Sequence, residues 1–539
     1  MTHDYVIVGA GSAGCILAAR LSESGRRSVL LLEAGGRDDS FWFRIPVGYA
    51  RSYYNPRVNW MYWSEPEAAL GGRRIYVPRG KVQGGSGSIN AMVFVRGAAA
   101  DFDDWAAAGN PGWAYDDVLP QFRRLESHAG GASDWHGGDG PIHVTPMRGA
   151  THAVTDAYLA ACRELQLPEN GDFNGASIEG AGVYDVNTHD GRRSSSSFEY
   201  LHPALGRRNL TVERDAQALR VVLDETGRAT GVEIRQGSET RIVTARREVI
   251  LAAGAVDTPK LLQLSGIGDG ARLAGAGVAV AHHLPAVGRN LQDHLCASFY
   301  YRSRVPTLNG PFGSLWGQAR LGLQYLLTRK GPFAMSVNQA GGFFRGAPGE
   351  ARPNIQMYFN PLSYRIPDSP KAGLKPEPYP GFLLAFNACR PTSRGEIAIA
   401  SPDPAAAAKI RPNYLSTDRD IEEALQASRL ARRIMAAPSL AAITVEEMPP
   451  SAGAESDAAL LDWFRANSGS IYHLCGSCAM GPDAANSVVD AQLRVHGLSG
   501  LRVVDASVFP NITAGNINAP TMMVAEKGAE MILADAGGA

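Results

Sequence analysis

The sequence predicts an α/β protein that opens with a dinucleotide-binding βαβ unit and continues into a second, less regular unit. Three observations carry this. At 539 residues the chain exceeds the roughly 250–300 residues at which a single hydrophobic core stops growing, so two or more packed units are expected. The opening DYVIVGAGSAGCILAARLSESGRRSVLLLEAGG reads as strand, glycine turn, helix and strand. From about 300 to 470 the pattern shifts to aromatics, prolines and irregular spacing, and the last segment returns to the first style.

Element by element, residues 5–8 form a short continuous apolar run, which reads as a buried strand; 14–21 suit a helix and 28–32 a second strand. Mixed signals and Gly/Pro-rich stretches follow to about 205. Between 209 and 255, β-branched residues alternate with turn formers, which predicts an antiparallel meander leading into a buried strand, then a helix over 258–264. A strand at 501–505 and a helix over 521–534 close the chain.

Composition narrows the function. Fifty-two basic residues against 53 acidic ones leave a formal charge of -1, which gives no global attraction for nucleic acid or an anionic membrane. A small neutral or locally recognised substrate is expected. Six cysteines, dispersed apart from Cys475 and Cys478, do not make a disulfide framework, so a reducing compartment is expected. No apolar run approaches the roughly 18 residues of a membrane span; the expected location is cytoplasmic, with peripheral membrane contact left open.

Gly9-Ala10-Gly11-Ser12-Ala13-Gly14 follows the first strand and opens the helix. Gly9 permits the tight turn, Gly11 lets a pyrophosphate approach the backbone, and Gly14 allows close helix–strand packing, with the helix N-terminus toward the phosphates. Glu33 ends the second strand, where a carboxylate accepts both ribose hydroxyls of an adenosine and repels a 2'-phosphate, arguing against NADP. These residues alone leave NAD and FAD open.

A histidine and a C-x-x-C pair share the stretch IYHLCGSCAMG at 471–481. Zinc requires four ligands and no second ligand cluster accompanies the pair, so no metal is expected. A redox dithiol wants its C-x-x-C at a helix start, whereas Gly476 and Gly481 surround this one with turns. The third reading is a loop that delivers His473 to a reaction centre.

RGKVQGGSGSINAMVFVRG at 79–97 resembles the first signature of the glucose-methanol-choline (GMC) oxidoreductases, flavoproteins that oxidise alcohols, and GAVDTPKLLQLSGIG at 254–268 is similar to their second. VGRNLQDH at 287–294 and the block from His473 to Ala534 fall in family order, so the resemblance spans essentially the full length. It implies a Rossmann-like FAD domain of residues 1–155, 205–300 and 486–539. A substrate domain of 156–204 and 301–485 is implied beside it, built on an antiparallel sheet flanked by helices. It also implies FAD contacts from Gly84, Gly85, Ser86, Asn90, Ala91, Gly254, Asp505, Ala506 and Asn518, and from the main chain of Ala218. Ile89 stands where covalently flavinylated members carry a histidine, which implies non-covalent FAD. Gln83 departs from the usual apolar residue, so packing under that loop is expected to differ.

HLCGSCAMG resembles the family's H-x-x-G-T-x-x-M-G block, which makes His473 the implied base, and Asn516 occupies the position of its partner. Asn511 and Asn518 compete for that role, Asn518 being the better candidate for the flavin pyrimidine. Asn518 and Pro520 are expected to precede the last helix, whose positive end would face the flavin. The other histidines, His282, His283 and His496 among them, show no comparable context. The implied reaction is proton abstraction from an alcohol and hydride transfer to flavin N5. The terminal block resembles the family's bacterial choline, alcohol and sorbose dehydrogenases more than its fungal oxidases, so a dye- or quinone-like acceptor is expected before oxygen. An alcohol oxidase, a hydroxynitrile lyase on the same scaffold and an inactive cofactor-binding protein are the alternatives. Choline as substrate would require a carboxylate or an aromatic cage, and whether Trp60, Trp63, Trp316 and Tyr358 converge is open. Oligomeric state is not legible.

Overall fold

A computed structural model describes residues 2–365 and 373–537. Two seven-stranded sheets organise it. In the first, Thr2–Val8 lies at the centre, parallel to Val29–Leu32 on one side and to Glu239–Leu251 on the other. Residues 5–8 and 29–32 are buried throughout, as parallel strands covered on both faces must be. The 13-residue strand Glu239–Leu251 has two partners along one edge. Its first half pairs antiparallel with Ala229–Gln236, while its end pairs parallel with the C-terminal strand Leu501–Val503. The hairpin therefore peels away where the distant C-terminus enters.

Several sequence expectations need correction. Leu210–Glu213, expected in the meander, lies parallel to Val29–Leu32 at the far edge; alternation identifies a strand but not its partner. The helix expected at 258 starts at Gly254. The last helix runs Asn518–Asp535, so Asn518 and Pro520 sit within its first turn; proline is tolerated there because that turn's N–H groups have no intrahelical acceptor. The strand expected over 501–505 ends at Val503, because Asp505 caps the turn Ala506–Val508.

The second sheet is antiparallel, in the order Thr444–Glu447, Leu295–Ser303, Gly381–Ala388, Ile355–Asn360, Ala340–Phe344, Gly180–Val183. Leu295–Ser303 straddles the expected boundary at 300 and belongs to this sheet along its whole length. Strand alternation divides the side chains between two faces. Ala297, Phe299, Met357, Phe359, Leu384 and Phe386 join the core under the helix Asp418–Ala436. Cys296, Ser298, Tyr358, Asn360, Leu383 and Ala385 point the other way and wall a cavity. Among the described residues no helix is long and apolar enough to cross a membrane.

Candidate active site

The cavity, about 1020 Å³, runs from the first sheet to the open face of the second. All the expected site residues line it except Gly14 and Gly84. Those two pack the turns that line it. A Cβ on Gly14 would lie 1.8 Å from the Gly9 carbonyl oxygen, so the glycine lets the first helix rest on the turn. Gly84, at φ +86°, donates its N–H to the Ala10 carbonyl at 2.6 Å. The signature loop is thereby laid on the dinucleotide turn. A Cβ on Gly85 would fall 2.7 Å from Gly11 Cα, and one on Gly87 would fall 2.7 Å from Ser12 Oγ, which itself donates to Asn518 Oδ1 at 2.8 Å.

Glu33 accepts from the Ala10 and Gly35 N–H groups at 3.0 and 2.8 Å, and burial pushes its pKa up to about 7. Asp505 spends both oxygens inside the protein, one on Ser507 N at 2.8 Å, the other on Gly254 N at 2.8 Å and Thr258 Oγ1 at 2.6 Å. Its carboxylate therefore holds the Gly254 turn. Asn90 likewise has its carbonyl oxygen occupied, by Arg193 Nη1 at 2.5 Å and Met92 N at 3.1 Å, leaving the amide N–H groups for the cavity. Arg193 was not singled out from sequence. It is 2% exposed, binds the carbonyls of Phe43, Gly87 and Asn90, and burial lowers its pKa to about 9. Gln83 is buried and satisfied: it donates to Asp38 at 2.9 Å and Ser197 at 3.0 Å, and accepts from Arg214 at 2.7 Å. The expected change in packing is thus a closed polar network.

The donor set fits a dinucleotide. Gly11 meets nothing nearer than 3.9 Å on its Cβ side and Gly254, at φ +85°, meets nothing within 4 Å, so backbone is open to close approach on both. Arg79 Nη2 is buried without a partner and free for an anionic group. The volume lies at the upper end of small-molecule sites, roughly 300–1,000 Å³. Ile89 lines the cavity with an apolar side chain.

At the far end the geometry sets a protonation state. A carbonyl only accepts, so His294 Nε2, 2.8 Å from the Cys389 oxygen, carries a proton. Burial pushes the His294 pKa down to about 4, keeping the ring neutral, and its bare Nδ1 accepts from His473 Nδ1 at 2.9 Å. Burial, then His294, then Arg79 hold His473 well below the ordinary imidazole value. His473 is therefore neutral, protonated at Nδ1, with a lone pair on Nε2. That lone pair meets the Asn516 amide at 3.2 Å, and Asn516 Oδ1 accepts from Tyr358 at 3.3 Å.

The backbone around His473 is equally constrained. Its N–H donates to Asp293 Oδ1 at 2.7 Å, and Asp293 Oδ2 accepts from Ser470 at 2.5 Å and Tyr414 at 2.6 Å. Tyr472 before it holds a left-handed φ of +74°, with Arg79 Nη1 on its carbonyl at 2.7 Å. Cys475 exchanges backbone hydrogen bonds with Gln292, which brings 290–294 alongside 473–476. Cys475 and Cys478 are free, fully buried thiols with pKa values pushed up by burial.

His294 is thus a positioning residue for His473 that the sequence reading passed over. His294→Ala should lower kcat/KM for an alcohol by at least about tenfold, a share of the roughly 10²–10⁴-fold that a positioned base supplies. It should also shift the acid limb of the pH profile, which loss of packing alone would not do. An unchanged profile would show that the tautomer is set elsewhere.

Trp60, Trp63 and Tyr358 line the cavity, but Trp316 is 89% exposed on the outside, so the four aromatics do not converge into a cage. Among the described lining residues the carboxylates are Glu33, Asp257 and Asp505, all on the first-sheet side. Tyr300, Tyr358 and Tyr364 also line the cavity, Tyr358 reaching Asn516 beside His473.

Comparison with known proteins adds an independent line. Family models described as GMC oxidoreductase match residues 3–296 and 391–525. An oxygen-dependent choline dehydrogenase of Vibrio vulnificus (strain YJ016) is 42% identical over 534 residues, covering 98% of this chain and 94% of that protein. Another, from Rhizobium etli (strain CIAT 652), is 42% identical with 99% and 96% covered. Among solved structures, pyridoxine 4-oxidase from Mesorbium loti superposes with a TM-score of 0.88 at 31% identity, with 98% of each chain covered. A formate oxidase variant of Aspergillus oryzae, studied for modification of its FAD, does so at 0.90 and 25% identity, with 99% and 98% covered.

Proposed function

The chain belongs to the GMC oxidoreductase family, whose cofactor is FAD, and from that premise we propose that it oxidises a neutral alcohol to an aldehyde or ketone with His473 as the base. The observation that carries this is the relay from the Cys389 carbonyl through His294, which leaves His473 Nε2 unprotonated, its lone pair met only by the Asn516 amide. His473 Nε2 takes the hydroxyl proton. Asn516 is neutral and donates a hydrogen bond to the same oxygen without competing for the proton. FAD, held non-covalently by the Gly9–Gly14 turn, the 84–91 loop and the Gly254 turn, supplies the hydride acceptor. Two-point holding of the oxygen aligns the carbinol carbon for transfer.

Substrate charge follows from the site's electrostatics. A trimethylammonium group needs a carboxylate or an aromatic cage, whereas the charge that most directly lowers the His473 pKa, apart from His294, is the cation Arg79. A cationic alcohol is disfavoured beside it, and the tyrosine wall suits aromatic or alkyl primary alcohols. The acceptor proposed is a dye- or quinone-like molecule. A panel of aromatic alcohols, alkanols, polyols and choline, added anaerobically, is expected to bleach the flavin band fastest with the aromatic or alkyl members, and turnover should be faster with a dye than with oxygen. If choline gives the highest kcat/KM, the substrate reading fails while alcohol oxidation stands; if no alcohol bleaches the flavin, the redox function fails.

A further inference from the structure

Five of the twelve exposed large apolar side chains among the described residues lie on one helix, Leu315–Thr328. Leu321 and Tyr325 anchor it inward. At 100° per residue, Trp316, Leu323 and Leu327 form one outward stripe, with Leu315 and Leu326 beside it. Their exposures are 89%, 59%, 76%, 84% and 56% respectively. Isolated exposed leucines are ordinary; a continuous stripe ending in tryptophan is not.

The charge around it is one-sided. From His294 to Gly349 the chain carries no Asp or Glu, and while Arg302 and Arg345 are paired with Glu446 and Glu179 elsewhere, Arg320, Arg329 and Lys330 form no salt bridge among the described residues. Arg320 lies along the stripe, and Arg329 and Lys330 follow the helix directly. The patch continues onto Phe41 and Trp42, 51% and 38% exposed, with Arg51 over the Trp42 ring at 5.0 Å. Pro46–Gly48, which follows them, packs on Pro332–Ala334 just beyond the helix.

We propose that this helix docks the protein in the interface of an anionic lipid bilayer, with the Trp316, Leu323 and Leu327 stripe in the acyl boundary and Arg320, Arg329 and Lys330 at the headgroups. Leucine and tryptophan supply the buried apolar area, and long basic side chains reach to phosphates while their stems cover apolar surface. A balanced net charge does not oppose this, because attraction to a surface is set within about a Debye length of the contact. The docked face is close to the cavity: Phe312, just before the helix, packs in one cluster with Tyr49 and Tyr364, which line it. Docking thus turns the aromatic end of the site toward the lipid phase.

The test is co-sedimentation of the purified full chain with phosphatidylcholine vesicles, with and without phosphatidylglycerol, at low and physiological salt. The protein is expected to pellet with the phosphatidylglycerol vesicles, less so as salt rises. The triple variant Trp316→Ser, Leu323→Ser, Leu327→Ser should fall to background, and Arg320→Glu with Lys330→Glu should weaken binding, both with unchanged melting temperature and dye-linked turnover. The proposal is overturned if the protein stays in the supernatant with every vesicle or if the triple variant binds like the parent. It is equally overturned if the parent is a dimer that the triple variant splits, since the stripe is then an interface between copies of this chain.

Discussion

His473→Ala is expected to leave a folded, yellow protein whose rate of flavin reduction by alcohol falls by roughly 10²–10⁴-fold, the usual contribution of a positioned base. No neighbour can substitute. Asn516 presents an amide that has no acceptor nitrogen, and His294 does not line the cavity and is a weak base, its pKa pushed down to about 4 by burial. Anaerobic rapid mixing reads the reduction step directly; a variant as fast as the parent would place the base elsewhere. The pH profile has a defined sign. The neutral ring is the competent form, and burial together with His294 and Arg79 holds its pKa well below 6.5. kcat/KM should therefore stay level as pH falls from neutrality through 6.5, where an ordinary imidazole would already be half protonated. Stability moves the other way at lower pH. His294 has a folded pKa of about 4 against 6.5 when exposed, so the unfolded chain binds more protons in that interval. The stability it confers is complete above about 6.5 and declines as pH falls toward 4.

Gly14→Ala is expected to yield protein without flavin. The new Cβ would stand 1.8 Å from the Gly9 oxygen and 3.0 Å from its carbon, both backbone atoms, so no rotamer relieves the clash and the helix Ser12–Ser22 must lift from the turn. That displacement moves the helix N-terminus, Ser12 and its bond to Asn518 together. The flavin band of the purified protein measures the loss. Gly275→Ala is the control, because a Cβ there meets nothing within 4 Å; it should keep its colour. A yellow Gly14→Ala protein with parental flavin content would show that the close packing read here is not required for cofactor binding.

The nucleotide end was legible because its determinants are local. Strand, three glycines, helix and Glu33 lie within the first 33 residues, and Gly14 is demanded by the Gly9 carbonyl five residues away, although the tight packing of Gly9 is against Ala252, far along the chain. His473 and Asn516 were legible through a resemblance of motifs, and the cavity brings them together. Where local signal ended, the reading missed. Asp505, expected as a cofactor contact at the end of its strand, lies beyond the strand's end at Val503, and its carboxylate clamps Gly254 at the cavity wall. Trp316 looked available for a substrate cage and lies outside, because helix periodicity marks a face without saying whether core or solvent takes it.

Residue order within each element, with the steric limits of glycine and the alternation of strands, was enough to dictate the class of fold and the nucleotide turn, and the resemblance of motifs singled out the loop that carries His473. The proton's position was not contained there. It depends on His294 meeting His473 across 179 residues of chain, a contact made only when the 290–294 and 473–476 segments pair in three dimensions. Burial, which sets both imidazole pKa values, is a property of that assembled environment and of no single stretch of residues.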